Sequence, residues 1–115
     1  MSKELAGEIA LVTGASRGIG AAIADTLAER GATVIGTATS DSGAAAIGER
    51  LAASGGHGRT LDVADGEQVE ALIEAIGKEF GAISILVNNA GITRDNLLLR
   101  MKDEEWDAIM ATNLK

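Results

Sequence analysis

The sequence predicts an α/β fold in which a parallel, doubly wound sheet is flanked by helices. Short apolar runs, typical of strands covered on both faces, alternate with longer amphipathic segments of helical period. A glycine-rich segment stands between the first such strand and the first helix. Because strand–helix–strand units form parallel pairs with right-handed crossovers, this alternation indicates three layers, with helices on both faces of the sheet.

Four strands are expected. In chain order they cover residues 9–12, 33–36, 59–63 and 83–87. Glycine or polar residues follow the strands, and in an open parallel sheet ligands bind beyond the carboxyl ends of the strands. We therefore expect functional residues immediately after each strand.

The first helix is predicted to present Ile19, Ile23 and Leu27 to the sheet and to end at Gly31. Small residues on this helix would let it lie close to the sheet: Ala22, Ala24 and Ala28. A second helix is capped by Ser40 or Asp41, runs through residue 51 and breaks at glycines 55 and 56. The third helix ends at Gly81 and has an apolar face made of Val69, Leu72, Ile73, Ile76 and Phe80.

Composition limits the function classes. The 115 residues suit one domain, with 46% hydrophobic and 23% charged residues, as in soluble globular proteins. No apolar run approaches the roughly 20 residues of a membrane span, and no signal peptide is evident, so we expect a cytoplasmic protein. A net charge of −7 disfavours nucleic acid and membrane surfaces as partners. Cysteine is absent, which excludes disulfides and thiolate chemistry, and so is tyrosine.

Three glycines mark the turn between the first strand and the first helix. Gly14, Gly18 and Gly20 are spaced one residue wider at the first gap than the G-x-G-x-x-G pattern. Such glycines let the backbone approach a pyrophosphate, and the helix N-terminus supplies N–H donors and a positive dipole end. The alternative is an ordinary turn with chance glycines. The cofactor-binding residues predicted here are Gly14, Ala15, Ser16, Arg17, Gly18, Ile19 and Gly20.

The end of the second strand favours NADP(H) over NAD. A site for NAD places a carboxylate about 20 residues beyond the glycines to hold the ribose 2′-hydroxyl. Residues 37–39 are Thr-Ala-Thr instead, with no carboxylate to repel a 2′-phosphate. We therefore predict that Arg17 and Thr39 contact the 2′-phosphate. The alternative for Arg17 is a solvated loop charge.

Several motifs together resemble the short-chain dehydrogenase/reductase family. They are TGASRGIG at residues 13–20, LDV at 61–63 and NNAG at 88–91. More narrowly, residues 35–40, 91–98 and 101–106 resemble the bacterial members that reduce 3-oxoacyl-[acyl-carrier-protein]. The resemblance covers nearly the whole chain. It implies a Rossmann-like three-layer αβα fold, of which residues 1–115 form the NADP-binding N-terminal half, with about four strands and apparently truncated.

The resemblance implies further cofactor contacts. It places the Asp62 side chain on the adenine amino group and Val63 against the ring, whereas the alternative for Asp62 is a helix cap, for which Asp65 is better placed. The segment after the fourth strand would line the cofactor: Asn89, Ala90 and Gly91. Asn88 or Asn89 would also steady the central strands, although asparagine is in any case common in turns.

Asn113 is the catalytic candidate. The last segment, from about residue 103, has helical period, and Asn113 shares its apolar face with Trp106. The resemblance implies that Asn113 holds a water linking a catalytic lysine to a proton relay. The alternative is a frayed polar residue near the chain end. His57, the single histidine, is expected to face solvent in a glycine-rich loop, and no metal site is expected.

The activity implied by the resemblance is NADPH-dependent reduction of 3-oxoacyl-[acyl-carrier-protein] in fatty acid biosynthesis, by a homo-tetramer. In the family a tyrosine donates the proton, a lysine lowers its pKa and a serine polarises the carbonyl. Without a tyrosine, these 115 residues alone are expected to be inactive. Two alternatives remain: a non-catalytic dinucleotide-binding module, and a half-chain that pairs with another subunit. The fourth strand is expected at a sheet edge, which predicts self-association through it or through the surface near Trp106.

Overall fold

The computed structural model describes residues 4–89 and the backbone of residues 97–100. The strands within these residues are β1 (Ile9–Thr13), β2 (Thr33–Ala38), β3 (His57–Thr60), β4 (Ile85–Asn88) and β5 (Leu97–Arg100). The helices are α1 (Gly18–Glu29), α2 (Asp41–Leu51) and α3 (Gly66–Glu79), and a 3-10 turn (Ala52–Ser54) follows α2. The helix predicted from about residue 103 lies outside the described residues.

The strands form one sheet in the order β3-β2-β1-β4-β5. The first four strands are parallel, so the predicted three-layer α/β fold is confirmed. The predicted edge position of the fourth strand is wrong, because β5 pairs antiparallel with β4, with Leu86 opposite Leu99. The sequence predicted no strand at residues 97–100, where β5 lies. Self-association through β4 therefore loses its structural basis.

The third strand lies earlier in the chain than predicted. β3 pairs with β2 over residues 57–60, and only the Leu61 N–H continues the pairing, to the Ala38 carbonyl at 2.8 Å. Gly58 explains why a glycine-containing segment forms this strand: a Cβ there would lie 1.9 Å from the Ala44 carbonyl oxygen of α2. The expectation for His57 is also wrong. It begins β3, is half-buried, and its ring centroid lies 4.7 Å from that of Phe80.

Two apolar clusters lie on opposite faces of the sheet, because alternate residues of a strand point to opposite sides. One cluster joins β-strand residues to α1 and α2 and contains Ala10, Val12, Val34, Ala24, Ala28, Ile47 and Leu51, among others. The other joins the sheet to α3 and contains Leu11, Ile35, Ile76, Ile83 and Leu86. Four residues of the predicted apolar face of α3 belong to this second cluster or pack against it, namely Leu72, Ile73, Ile76 and Phe80.

The residues of α1 that lie closest to the sheet include Ala24 and Ala28, as predicted, but not Ala22, which is exposed. The buried residues of α1 are Gly20, Ala24 and Ala28. Ile23 and Leu27 are only partly buried, and Ile19 is 63% exposed. Small side chains let the helix lie close to the strands. Ile23 and Leu27 therefore pack at the edge of the interface between helix and sheet, and Ile19 is exposed to solvent at the helix N-terminus.

The predicted helix ends are confirmed. Ser40 caps α2 by accepting a hydrogen bond from the Gly43 N–H, and Asp65 caps α3 by accepting from Glu67 and Gln68. Gly31, with φ of +104°, follows α1 in the left-handed conformation typical of a glycine after a helix C-terminus. Among the described residues, no helix has both the length and the apolarity to cross a bilayer.

Candidate functional site

The loop between β1 and α1 needs its glycines for two different reasons. Gly14 and Gly18 have φ of +62° and +63°, which only glycine adopts without strain. Gly20 is helical, but a Cβ on it would lie 2.0 Å from the Gly14 carbonyl oxygen. By contrast, a Cβ on Gly18 would meet no atom within 4 Å. Gly20 thus packs inward and Gly18 borders open space.

The N-terminus of α1 carries no side-chain cap. Its N-cap residue, Arg17, has extended backbone and makes no capping hydrogen bond. Ser40 and Asp65, in contrast, satisfy N–H groups at the starts of α2 and α3. The first N–H groups of a helix have no intrahelical partner, and they favour an anion together with the helix dipole. With Arg17 and Ile19 exposed beside it, this helix start can receive an anionic ligand.

The other side of the loop is fixed by three different elements. The Ala15 N–H donates to the Thr37 carbonyl of β2 at 2.9 Å. The Ala15 carbonyl accepts from Arg50 Nη2 of α2, also at 2.9 Å. The Gly14 carbonyl accepts from Asn89 Nδ2, just after β4, at 3.2 Å. The backbone of the loop is therefore fixed by hydrogen bonds on its protein-facing side, without any ligand.

A buried polar pair joins the two central strands at the same edge. Thr13 ends β1 opposite Asn88 of β4, and the Thr13 hydroxyl donates to Asn88 Oδ1 at 3.1 Å. Both residues are 3% exposed. The strand order reverses between β1 and β4, and in open α/β sheets ligands bind at such a reversal. The structure therefore divides the two roles: Asn88 joins the strands and Asn89 holds the glycine loop.

The remaining predicted residues follow β1, β2 and β3 at this edge of the sheet. Thr39 is exposed directly after β2. Ser16 lies near the start of α2, since a Cβ built on Gly43 would be 3.6 Å from the Ser16 Cβ. Arg17 and Thr39 thus belong to neighbouring strand exits and both face solvent.

Asp62 and Val63 lie in the turn after β3, where Asp62 is exposed and Val63 half-buried. Asp62 Oδ1 accepts from the Ala64 N–H at 2.9 Å, so this carboxylate closes its own turn. The helix cap is Asp65, and the capping alternative for Asp62 is therefore wrong. Three further predicted residues lie outside the described part of the chain: Ala90, Gly91 and Asn113.

The sequence profile of the short chain dehydrogenase family matches residues 8–115. The chain belongs to this family. It is 67% identical over 110 residues to the 3-oxoacyl-[acyl-carrier-protein] reductase of Vibrio harveyi, covering 96% of this chain and 45% of the relative. The enzyme of the same name from Escherichia coli K12 is 66% identical over 108 residues, covering 94% and 44%. That of Pseudomonas aeruginosa is 60% identical over 112 residues, covering 96% and 45%. The chain thus spans about half the length of the curated relatives it matches.

Membership of the family implies a nicotinamide dinucleotide cofactor. The residues present fit such a group. Gly20 has no room for a side chain against the loop, Gly18 borders open space, and α1 begins without a side-chain cap. A pyrophosphate placed there would meet backbone N–H donors and the positive end of the helix dipole.

Two structural roles at the site were not predicted from the sequence. The sequence motif contains Thr13, but nothing in it shows that the hydroxyl pairs with Asn88. Arg50 lies far along the chain from the glycines, near the end of a helix where a basic residue also suits the helix dipole. No sequence signal identified its contact with Ala15.

Proposed function

We propose that residues 1–115 provide the NADP(H)-binding region of a single Rossmann domain in a cytoplasmic reductase. The reaction is the conversion of 3-oxoacyl-[acyl-carrier-protein] to 3-hydroxyacyl-[acyl-carrier-protein] in fatty acid biosynthesis. The observation that carries the proposal is that α1 begins without a side-chain cap. The preceding glycine loop, residues 14–17, is fixed by hydrogen bonds to β2 and to Arg50. The names of the relatives, at 60–67% identity, support the substrate class.

The choice of NADP(H) rests on charge at the exits of β1 and β2. Residues 37–40 contain hydroxyl side chains and no carboxylate, so nothing in that segment repels a 2′-phosphate. Arg17 supplies an exposed, permanently charged guanidinium in the neighbouring loop. We assign the 2′-phosphate to Arg17 and Thr39.

The other assigned residues would position the cofactor or serve proton transfer. When bound, the nicotinamide supplies a hydride to the substrate carbonyl. Asp62 and Val63 would hold the adenine, and residues 89–91 would line the cofactor beyond β4. Asn113 would hold a water in the proton relay. The acyl-carrier protein and a homo-tetrameric assembly belong to this proposal for the whole protein.

Nucleotide titration tests the cofactor assignment. We expect the chain to bind NADPH more tightly than NADH, because only NADPH carries the 2′-phosphate. Arg17→Ala should remove about 1.4 kcal/mol from NADPH binding, which is about a tenfold loss, and should leave NADH binding nearly unchanged. Lys78→Ala is the matched control, since Lys78 is 77% exposed on α3 and its loss changes the net charge equally. Equal losses of both nucleotides in Arg17→Ala would contradict the assignment.

A chimaera tests the reaction. Residues 8–115 would replace the matching segment of the Escherichia coli relative, and NADPH oxidation would be followed with an acetoacetyl thioester. We expect turnover in the chimaera and none from the 115 residues alone, since they contain no tyrosine to donate the proton. A chimaera that binds NADPH but never turns over would support the alternative of a non-catalytic binding module.

A further inference from the structure

Arg50 connects three elements behind the glycine loop. It lies in the last turn of α2, and its Nη2 donates to the Ala15 carbonyl at 2.9 Å. Its Nε donates to Asp25 Oδ1 of α1 at 3.0 Å. The guanidinium presents its donors in a rigid planar fork, so one group can bond to the loop and to α1 simultaneously. Its side chain is 31% exposed and the Asp25 side chain 47%, so both bonds lie near the protein surface.

Ala15 is the residue through which this contact acts. Its side chain is fully buried, and both of its backbone groups are bonded, the N–H to β2 and the carbonyl to Arg50. Ala15 lies directly between Gly14, whose carbonyl limits the approach of α1, and Ser16 and Arg17, which lead into the helix. A shift of Ala15 would therefore move the helix start that is proposed to receive the pyrophosphate.

We propose that Arg50 is a positioning residue for the dinucleotide, acting through the Ala15 carbonyl to hold the loop in its binding conformation. The role deepens the proposed function and rests on it. Because the pyrophosphate is common to NADPH and NADH, Arg50 should affect both nucleotides equally. Arg17, assigned to the 2′-phosphate, should affect only NADPH. The ratio of the two affinities therefore separates the two arginines.

The test compares the nucleotide affinities of three variants. Arg50→Met keeps an aliphatic chain and removes the fork, and we expect both affinities to fall about tenfold while their ratio is unchanged. Arg50→Lys keeps the charge on a single donor atom, so it should still weaken binding about threefold, within the range of one altered hydrogen bond. Arg30→Met is the control, because Arg30 pairs with Glu4 and lies at the C-terminal end of α1, opposite the end that meets the loop. In this control both affinities should stay within about twofold of the wild type. Such a change is smaller than the contribution of one hydrogen bond.

Amide hydrogen exchange without nucleotide separates positioning from a general loss of stability. Arg50→Met should speed exchange of the Ala15 N–H, which is bonded to Thr37, about tenfold, as expected for local opening. Exchange at Leu11, in the core of β1, should remain as in the wild type. Equal acceleration at both amides would overturn the proposal, because Arg50 would then act only on global stability.

The affinities also distinguish the two proposals. If the wild type binds both nucleotides and Arg50→Met binds them with the same affinity, the proposed role of Arg50 is overturned. The proposed function is then unaffected. Full recovery of affinity in Arg50→Lys overturns the requirement for the two-donor fork, since the lysine ammonium can by itself donate to the Ala15 carbonyl. A wild-type chain that binds neither nucleotide overturns the proposed function and the binding role of Arg50 together.

Discussion

Replacing Gly20 by alanine tests whether the close approach of α1 to the glycine loop forms the site. The added Cβ would lie 2.0 Å from the Gly14 carbonyl oxygen and 2.8 Å from Asn89 Nδ2. To reach ordinary contact at 3.4 Å, the carbonyl would have to retreat by about 1.4 Å, and the obstructing atom is backbone. Overpacking of this kind costs about 1–3 kcal/mol. The displaced Asn89–Gly14 hydrogen bond adds about 1 kcal/mol.

Urea unfolding measures this cost. With a loss of about 3 kcal/mol and an m-value of about 2 kcal/mol/M, the midpoint of Gly20→Ala should fall by about 1.5 M. NADPH binding, measured below the unfolding transition, should weaken at least about tenfold. Gly77→Ala is the matched control, because Gly77 is exposed within α3 and its Cβ would meet nothing within 4 Å. This control should gain about 0.5–1 kcal/mol. If Gly20→Ala were as stable as Gly77→Ala and bound NADPH normally, the inferred packing would be refuted.

Three further substitutions have distinct expected costs in the same urea assay. In Gly18→Ala the added Cβ would meet no atom, but φ would stay near +63°, so backbone strain alone should lower the free energy of unfolding by about 1 kcal/mol. An unchanged urea midpoint would argue against that conformation. Asp65→Ala removes the cap of α3 and should lose about 1 kcal/mol, whereas Asp41→Ala, which caps no helix, should lose less. Thr13→Val removes the hydroxyl that bonds Asn88 and should lose about 1 kcal/mol, so a more stable variant would contradict the role given to this pair.

The order of elements was predictable because each depends on local chemistry. Apolar runs marked the buried parallel strands β1, β2 and β4. Helix ends were marked by the hydrogen-bonding or conformational preferences of Ser40, Asp65 and Gly31. The predicted three-layer arrangement followed from the alternation alone. These features required no knowledge of which residues meet in space.

The errors arose where tertiary packing overrode the local pattern. On α1, periodicity predicted that Ile19, Ile23 and Leu27 face the sheet. The predicted close contact through Ala24 and Ala28 is confirmed, but Ile23 and Leu27 are only partly buried and Ile19 is exposed. At β3, Gly58 is a poor strand residue by propensity, yet its missing side chain is what lets α2 approach. Likewise, β5 covers β4 through a pairing that periodicity did not reveal.

The sequence predicted which residues of the candidate site would face a ligand, but not which residues support them. Residues 14–20 follow from the needs of a phosphate group, which glycine, helix geometry and charge express within one short segment. The contacts that fix this segment come from residues distant in sequence, namely Thr37, Arg50 and Asn89. Such partners are defined only by the fold.

This division has a physical consequence for binding. The inward-facing backbone groups of Gly14 and Ala15 are bonded to protein, whereas the start of α1 has no side-chain cap and Gly18 borders open space. A loop held in this way before binding loses little conformational freedom when a ligand arrives, so less of the interaction energy is offset by ordering. Ile19 also lies on this open side of the loop, at the start of α1. An isoleucine 63% exposed at a helix start is not part of the core, and its apolar surface lies beside the N–H groups to which we assign the pyrophosphate.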